Sequence, residues 1–319
     1  MLSSSTDADA RTWPTPMGVL ERGGDEHFVR DHLGAPAEVP DLLCIDGAVA
    51  DPFEIFISDV RTLPAREELV VLECAGHRRD EYAPTANGVQ WGAGAVGEAR
   101  WRGTPLHALI RCARPHANAR EVIFHGADGY ARSLPFDKAI SPEPLVVWEM
   151  NGAPLPHVHG APLRVVVPGW YATDDVKWLT RIEVATTPFE GRFQMEEYRW
   201  IEPGDCGDGD RLTALPVHSL ITSGQSGTPL RGVAWSDGSD VVRVEVRIDH
   251  GPWREAALTP PGERFGLTRW ELAWDASPGW HLIESRATDK RGRAQPPRPL
   301  ANQGGYANNA VHGVSVEVA

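Results

Sequence analysis

The chain has 319 residues, 41% of them hydrophobic and 24% charged, with a formal net charge of -13 from 31 Lys and Arg against 44 Asp and Glu. This composition excludes disorder and leaves room for two domains with cores of their own. The acidic balance argues against tracking nucleic-acid phosphates, which needs a basic face, and no apolar run approaches the roughly 20 residues of a membrane-spanning helix; neither nucleic acid nor membrane is an expected partner.

The first thirty residues are polar and irregular and show neither a basic-then-apolar leader nor a twin-arginine pair. The expected location is cytoplasmic, or periplasmic if a leader has been removed. From Leu42 to Val60 the pattern is a strand, a turn at "DGAV", the apolar segment "PFEIFI" and a loop; the strand "EELVVLEC" follows and ends at Cys74. "GAGAVG" (92–97) fits G-x-G-x-x-G, but no buried strand precedes it and Ala117 stands where an acidic residue should, so it reads as a flexible loop. "GTPLHALIRCA" carries a helical stripe at Leu106, Leu109, Ile110 and Ala113, with Thr104 as the cap and Pro105 in the first turn. Strands are expected at "EVIFHG", "LVVWEMNG", "PLRVVVPG" and "DVKWLTRIEVA". The two histidines of "PHVHG", His157 and His159, fall on one side of an extended segment, where a place at the surface is the default. Together these elements predict an α+β domain rich in short strands.

Near Asp205 the texture changes, and "IEPGDCGDGDRLT" reads as a linker. "SGQSG" (223–227) lacks the spacing of a nucleophile elbow and reads as a turn. "VVRVEVRIDHG" alternates, with Val242, Val244, Val246 and Ile248 on one face and Arg243, Glu245 and Arg247 on the other. "RWELAWDA", "GWHLIESRATD" and "VHGVSVEVA" repeat the alternation, which predicts an all-β sandwich of the immunoglobulin-like kind.

Four cysteines, Cys44, Cys74, Cys112 and Cys206, show no C-x-x-C spacing, and each by itself reads as a small buried residue. Histidines form no H-x-x-x-H pair, so a hydrolytic zinc site has no support. Cys74 alone has a telling context. It stands at a strand end, followed by Ala-Gly and then by Arg78 and Arg79, so a thiolate that can bind a soft metal lies beside guanidiniums that can hold an oxyanion.

The run "CAGHRR" (74–79) resembles the hallmark C-A-G-N-R-R of the sulfite oxidase family of molybdopterin-dependent oxidoreductases. The likeness continues in order through "FVRDHL" (28–33), "WGAGAVGEARWRGTPL" (91–106), "EMNGAPLPHVHGAPLRVVVPGW" (149–170), "VKWLTRIEV" (176–184) and "GYANNAVHGV" (305–314). What it implies is an α+β molybdopterin-binding catalytic domain over residues 1–205 and an immunoglobulin-like dimerisation domain over 206–319. Residue by residue, Cys74 would ligate molybdenum, while Arg30, Arg79, Trp91 and Tyr198 would line the substrate pocket. His32, Asp128, His159, Arg164 and Lys177 would hold the pterin and its phosphate. The implied reaction is oxidation of sulfite to sulfate by oxo transfer in a homodimer, with no haem domain in the chain and electrons leaving singly to a separate, unidentified acceptor.

Two residues depart from the family pattern. His77 replaces the usual Asn, placing a group that titrates near neutrality close to the metal. Gly304 stands where animal-type sulfite oxidases carry a further substrate arginine, and losing one charged hydrogen bond of about 1.5 to 3 kcal/mol weakens anion binding roughly ten- to a hundredfold. A nitrate reductase of the same core, or another oxyanion oxidoreductase, is the alternative enzyme reading. A non-catalytic carrier of the cofactor is the alternative outside enzymes, although storage has no use for the substrate tyrosine.

Overall fold

The computed structural model describes residues 27–224 and 228–318. Most of the irregular N-terminal run, and residues 225–227 of the expected turn, lie outside the described residues. Two sheets build the first part of the chain. In the first, the spatial order is Phe53–Phe56, Leu42–Gly47, Leu179–Ala185, Glu121–Gly126 and Ala131–Pro135. Its one parallel pair is Leu42–Gly47 beside Leu179–Ala185. The second runs Arg66–Glu73, Val96–Pro105, Leu145–Met150 and Ala153–Pro154, with Arg164–Val166 also paired to Leu145–Met150. Between the sheets lies an apolar core that includes Leu43, Ile45, Phe124, Val146 and Ile182. Each such side chain, fully buried, stabilises the fold by about 1.5–3 kcal/mol.

The helix Leu106–Cys112 turns Leu106, Leu109 and Ile110 into this core. Its start differs from expectation, because Pro105 rather than Thr104 occupies the cap position and no side chain caps it. Thr104 is still in the strand, opposite Val146, and the Leu106 amide donates to the Pro144 carbonyl at 2.9 Å. Sheet pairing thus replaces the capping hydroxyl.

The second part is a sandwich of two four-stranded antiparallel sheets. One is ordered His218–Ser223, Leu230–Trp235, Thr268–Leu272 and Ala257–Thr259; the other Arg254–Glu255, Val241–Ile248, Gly279–Asp289 and His312–Val318. Alternation of the Val241–Ile248 strand places Val244 and Val246 inward, but Val242 points to solvent and Val241 takes its place in the core. A register shift between Val241 and Arg243 is the cause, since a bulge inserts one residue and breaks the period of two. The Gly- and Asp-rich run is a hairpin loop rather than a plain linker: Arg199–Trp200 pairs with Asp210–Arg211 across it.

The two parts share a core. Val71, Ala75, Tyr171 and Tyr198 pack with Leu220, Val233, Trp235 and Leu267 in one cluster. Polar contacts continue the join, with the Val71 amide donating to the Phe265 carbonyl at 3.0 Å and the Leu267 amide to Glu98 Oε1 at 2.6 Å.

Candidate active site

Glu73 is the last residue of its strand, so Cys74 is the first residue beyond it. The Cys74 amide donates to the Ala95 carbonyl at 3.0 Å, and its own carbonyl accepts from the His77 amide at 2.9 Å, which closes a tight turn over Ala75 and Gly76. Arg78 then adopts a left-handed conformation, with φ 56. That single reversal sends the two neighbouring arginines to different places. Arg78 is fully buried, donating to both Glu81 carboxylate oxygens at 2.7 Å and to the Ala310 carbonyl at 2.8 Å; it ties the turn to the second domain.

Arg79 faces the cavity. Its Nε donates to the carbonyls of Gly304 at 3.1 Å and Gly305 at 3.2 Å, and its Nη1 to that of Val89 at 3.2 Å. The guanidinium carbon lies 4.6 Å from the Tyr306 ring centre. Gly88 has φ +109, and a Cβ there would come within 2.5 Å of Arg79 Nη1, so only glycine lets the backbone pass this close. The guanidinium is therefore fixed before any ligand arrives.

Two cavities meet at Cys74. The first is lined by His32, Asp128, His159, Arg164 and Lys177, together with His27, Tyr130 and Asp175. The second is lined by Arg79, Trp91, Asn87, Glu197 and Tyr306. Arg30, His32, Cys74 and Tyr198 border both. All ten side chains singled out from the sequence thus reach one wall or the other.

Arg30, Arg164 and Lys177 line the first cavity against Asp31, Asp128 and Asp175, so its charges balance in number but are incompletely paired in place. Arg164 is buried, with Nε lacking any hydrogen-bond partner and Nη2 3.8 Å from Asp175 Oδ2, which also lacks one. Burial lowers the Arg164 pKa, and burial pushes the Asp175 carboxyl up to about 7 although Arg164 and the Val167 amide oppose it. Lys177 touches Asp31, yet burial first and then the Arg30 guanidinium bring its ammonium down to about 7. His27 falls to about 3 through burial and the neighbouring His159. Cations pressed toward neutrality by dry surroundings are what an anionic group would relieve.

At the junction the Cys74 thiol is pushed up by burial, while the Gly76 amide, Arg79 and Arg30 pull the other way. A soft metal bound at this sulfur would displace the proton. Tyr198, itself at φ 55, is hydrogen-bonded to His32 Nε2, and burial raises its phenol well above 10. Burial, with Arg30 and Arg192, lowers His32 to about 4, so the imidazole is neutral at neutral pH. Arg30 Nη2 lies 3.3 Å from His32 Nδ1. Since a guanidinium only donates, Nδ1 must accept, the ring proton sits on Nε2 and points at the Tyr198 oxygen, and the phenol hydrogen is left for a ligand. This tautomer follows from the network of donors.

Several expectations are corrected here. His77 lines neither cavity: its Nδ1 is 3.1 Å from Glu73 Oε1, and its ring stacks on Trp235 at 6.0 Å within the domain junction. Trp235 Nε1 donates to Glu73 Oε2 at 2.8 Å and His218 Nε2 is 3.2 Å from Oε1, so the carboxylate is shared by three rings. His159 is not a surface residue on an extended segment; it ends a short 3-10 turn, His157–His159, and is 1% exposed. "GAGAVG" is no flexible loop either, because Gly92 and Ala95 carbonyls accept from Arg78 and Cys74 amides and the strand begins at Val96. Of the cysteines, Cys112 and Cys206 are exposed and Cys44 is half-buried; only Cys74 is buried. Tyr306, Glu197, Asp175 and His27 were missed, although "GYANNAVHGV" contained the first of them.

The description "Oxidoreductase molybdopterin binding domain" matches residues 36–193, and "Mo-co oxidoreductase dimerisation domain" matches residues 213–319. Sulfite oxidase of Gallus gallus is 33% identical over 325 residues, covering 89% of this chain and 70% of that protein. The chain belongs to the sulfite oxidase family. Mitochondrial sulfite oxidase of Drosophila melanogaster is 32% identical, over 95% of this chain but 61% of the relative, so the chain spans roughly two thirds of the length of such relatives. Among solved structures, the sulfane dehydrogenase SoxCD of Paracoccus pantotrophus superposes with a TM-score of 0.80 at 28% identity, covering 91% of this chain and 79% of that one. Within this sulfite oxidase family member, the donors of the first cavity fit molybdopterin: buried Arg164 and half-buried Lys177 suit a phosphate, and Asp128 and His159 offer polar atoms to a pterin.

Proposed function

We propose that the chain is a molybdenum-dependent oxidoreductase that oxidises sulfite to sulfate and passes two electrons, one at a time, to a separate acceptor. The observation that carries this reading is the position of Cys74 at the meeting point of a cavity whose buried Arg164 is incompletely paired and a cavity bearing two arginines and a tyrosine. The cofactor, when bound through Cys74, Arg164 and Lys177, supplies oxygen-atom transfer and a two-electron store.

The chain's own residues bind and orient. Arg79, already held by three carbonyls, turns its remaining N–H groups toward the anion with little ordering cost. Arg30 adds a second positive charge and fixes the His32 tautomer. Tyr198 then donates its phenol hydrogen to a substrate oxygen, and the Tyr198–His32 pair holds the proton at the cavity wall between turnovers. Trp91, in edge contact with Phe28 at 6.3 Å, forms an apolar side of the cavity that limits water.

Purified protein with full molybdenum content should reduce ferricyanide on addition of sulfite and yield one sulfate per two electrons. Absence of sulfate from such protein refutes the assignment. The matched dimerisation domain supports a homodimer, and light scattering at micromolar concentration is its test.

A further inference from the structure

The second cavity differs from a plain trap for a small dianion in two ways. Its charge is one: the Arg30 and Arg79 guanidiniums are set against the Glu197 carboxylate, which lines the same space and lies 3.6 Å from Arg192 and 4.0 Å from His32. Its walls are aromatic, formed by Trp91, Tyr198 and Tyr306, with the last two rings 5.4 Å apart. Gly304 explains the second feature. A Cβ built at that position would collide with the Tyr306 ring, so a side chain at 304 and this placement of Tyr306 exclude one another. Where an arginine could stand, the chain has exchanged a charge for a π-face. The ring in turn supports Arg79 from below at 4.6 Å.

A net charge of +1 with an aromatic enclosure is complementary to a monoanion that carries an apolar substituent. We propose that the cavity accepts organic sulfinates, R–SO2−, and converts them to sulfonates. This rests on the oxidase reading above and names its substrate class. The sulfur of a sulfinate keeps a lone pair, as sulfite does, so the same chemistry applies: R–SO2− and water give R–SO3−, two protons and two electrons. One S–O bond forms, the oxygen comes from water, sulfur is oxidised by two electrons, and two equivalents of a one-electron acceptor such as ferricyanide are reduced. Arg30 and Arg79 hold the two sulfinate oxygens, Tyr306 and Trp91 take the substituent, and Glu197 disfavours a second negative charge.

The test uses the molybdenum-loaded protein with sulfite, methanesulfinate and benzenesulfinate, ferricyanide as acceptor, and oxygen-18 water. Expected are benzenesulfonate carrying one labelled oxygen and a kcat/KM for benzenesulfinate within about a hundredfold of that for sulfite. A value below that limit, in protein that does oxidise sulfite, overturns the inference and leaves the oxidase reading intact. Failure of all three substrates overturns both. Binding supplies a readout separate from turnover: by calorimetry, benzenesulfonate should bind the molybdenum-loaded protein more tightly than methanesulfonate does. Tyr306→Ala should reduce that preference about tenfold, the loss of one aromatic contact. Should this variant not fold, Glu197→Gln reports instead, and should shift the ratio of kcat/KM values about tenfold toward sulfite. An unchanged preference in Tyr306→Ala, or an unchanged ratio in Glu197→Gln, counts against the proposal.

Discussion

Arg79→Gln is the perturbation that most directly tests the anion site. The wild-type guanidinium is 6% exposed and committed by Nε and one Nη1 hydrogen to three carbonyls, which leaves its outer edge to the substrate. Two charge-assisted hydrogen bonds of about 1.5–3 kcal/mol each are then lost on substitution, together about 3–6 kcal/mol. At 1.4 kcal/mol per factor of ten, kcat/KM for sulfite should fall roughly 10²- to 10⁴-fold. Most of that fall should appear in KM at low occupancy, because Arg79 acts first by binding. Arg79→Lys restores the charge but not the planar fork, and should recover about tenfold. Gly88→Ala is a test from the other side, since its Cβ would lie 2.5 Å from Nη1 and displace the guanidinium without removing it. Steady-state kinetics on variants matched for molybdenum content and melting temperature separate binding from misfolding. A kcat/KM within threefold of wild type in well-folded Arg79→Gln would remove this residue from the pocket and with it the reading of the second cavity as the substrate site.

Cys74→Ser should retain pterin, measured by fluorescence after release, yet lose sulfite-dependent turnover, and X-ray absorption should count one sulfur fewer at the metal; full activity would refute the ligand assignment. Stability should fall with acidification because His218 is buried neutral, its pKa lowered to about 4. The unfolded imidazole binds its proton at the ordinary value of 6.5, so this contribution is fully present above that pH and is lost as pH falls toward 4, about 3 kcal/mol in all. In His218→Gln the unfolding free energy from urea titrations should therefore vary less between pH 7 and 4.5, and an equally steep dependence would contradict the burial argument.

What the sequence revealed, and what it hid, divides along contact range. Cys74, with its strand before and glycine after, is a local pattern, and so is the alternation of Val244 and Val246. The fate of Arg78 and Arg79 is not local. Their separation depends on one left-handed residue and on carbonyls that lie 225 to 233 positions further along. His77 was placed near the metal by its position in "CAGHRR", but its ring is claimed by Glu73, Trp235 and His218, and nothing in the hexamer announces the second domain's partners. Tyr306 was hidden for the same reason, since it becomes a wall residue only when the segment around 304 is laid against the turn around 79.

That arrangement changes what the second domain does. Carbonyls of Gly304 and Gly305 aim Arg79, Ala310 and Val311 carbonyls hold Arg78, and the Ala307 amide donates to the Ala75 carbonyl at 2.8 Å, one residue beyond Cys74. Tyr82 on the first domain donates to the Tyr306 carbonyl at 2.7 Å, so the aromatic wall is itself anchored from across the junction. Removing the second domain would strip Arg79 of two of its three carbonyls and expose Val71, Ala75 and Tyr171, which pack against Val233, Trp235 and Leu267. A catalytic domain produced without its successor should for that reason fail at the substrate cavity even where the cofactor cavity, built from Asp128, His159, Arg164 and Lys177, stays whole. The domain that matches a dimerisation model thus also supplies, in this chain, the far wall of the second cavity.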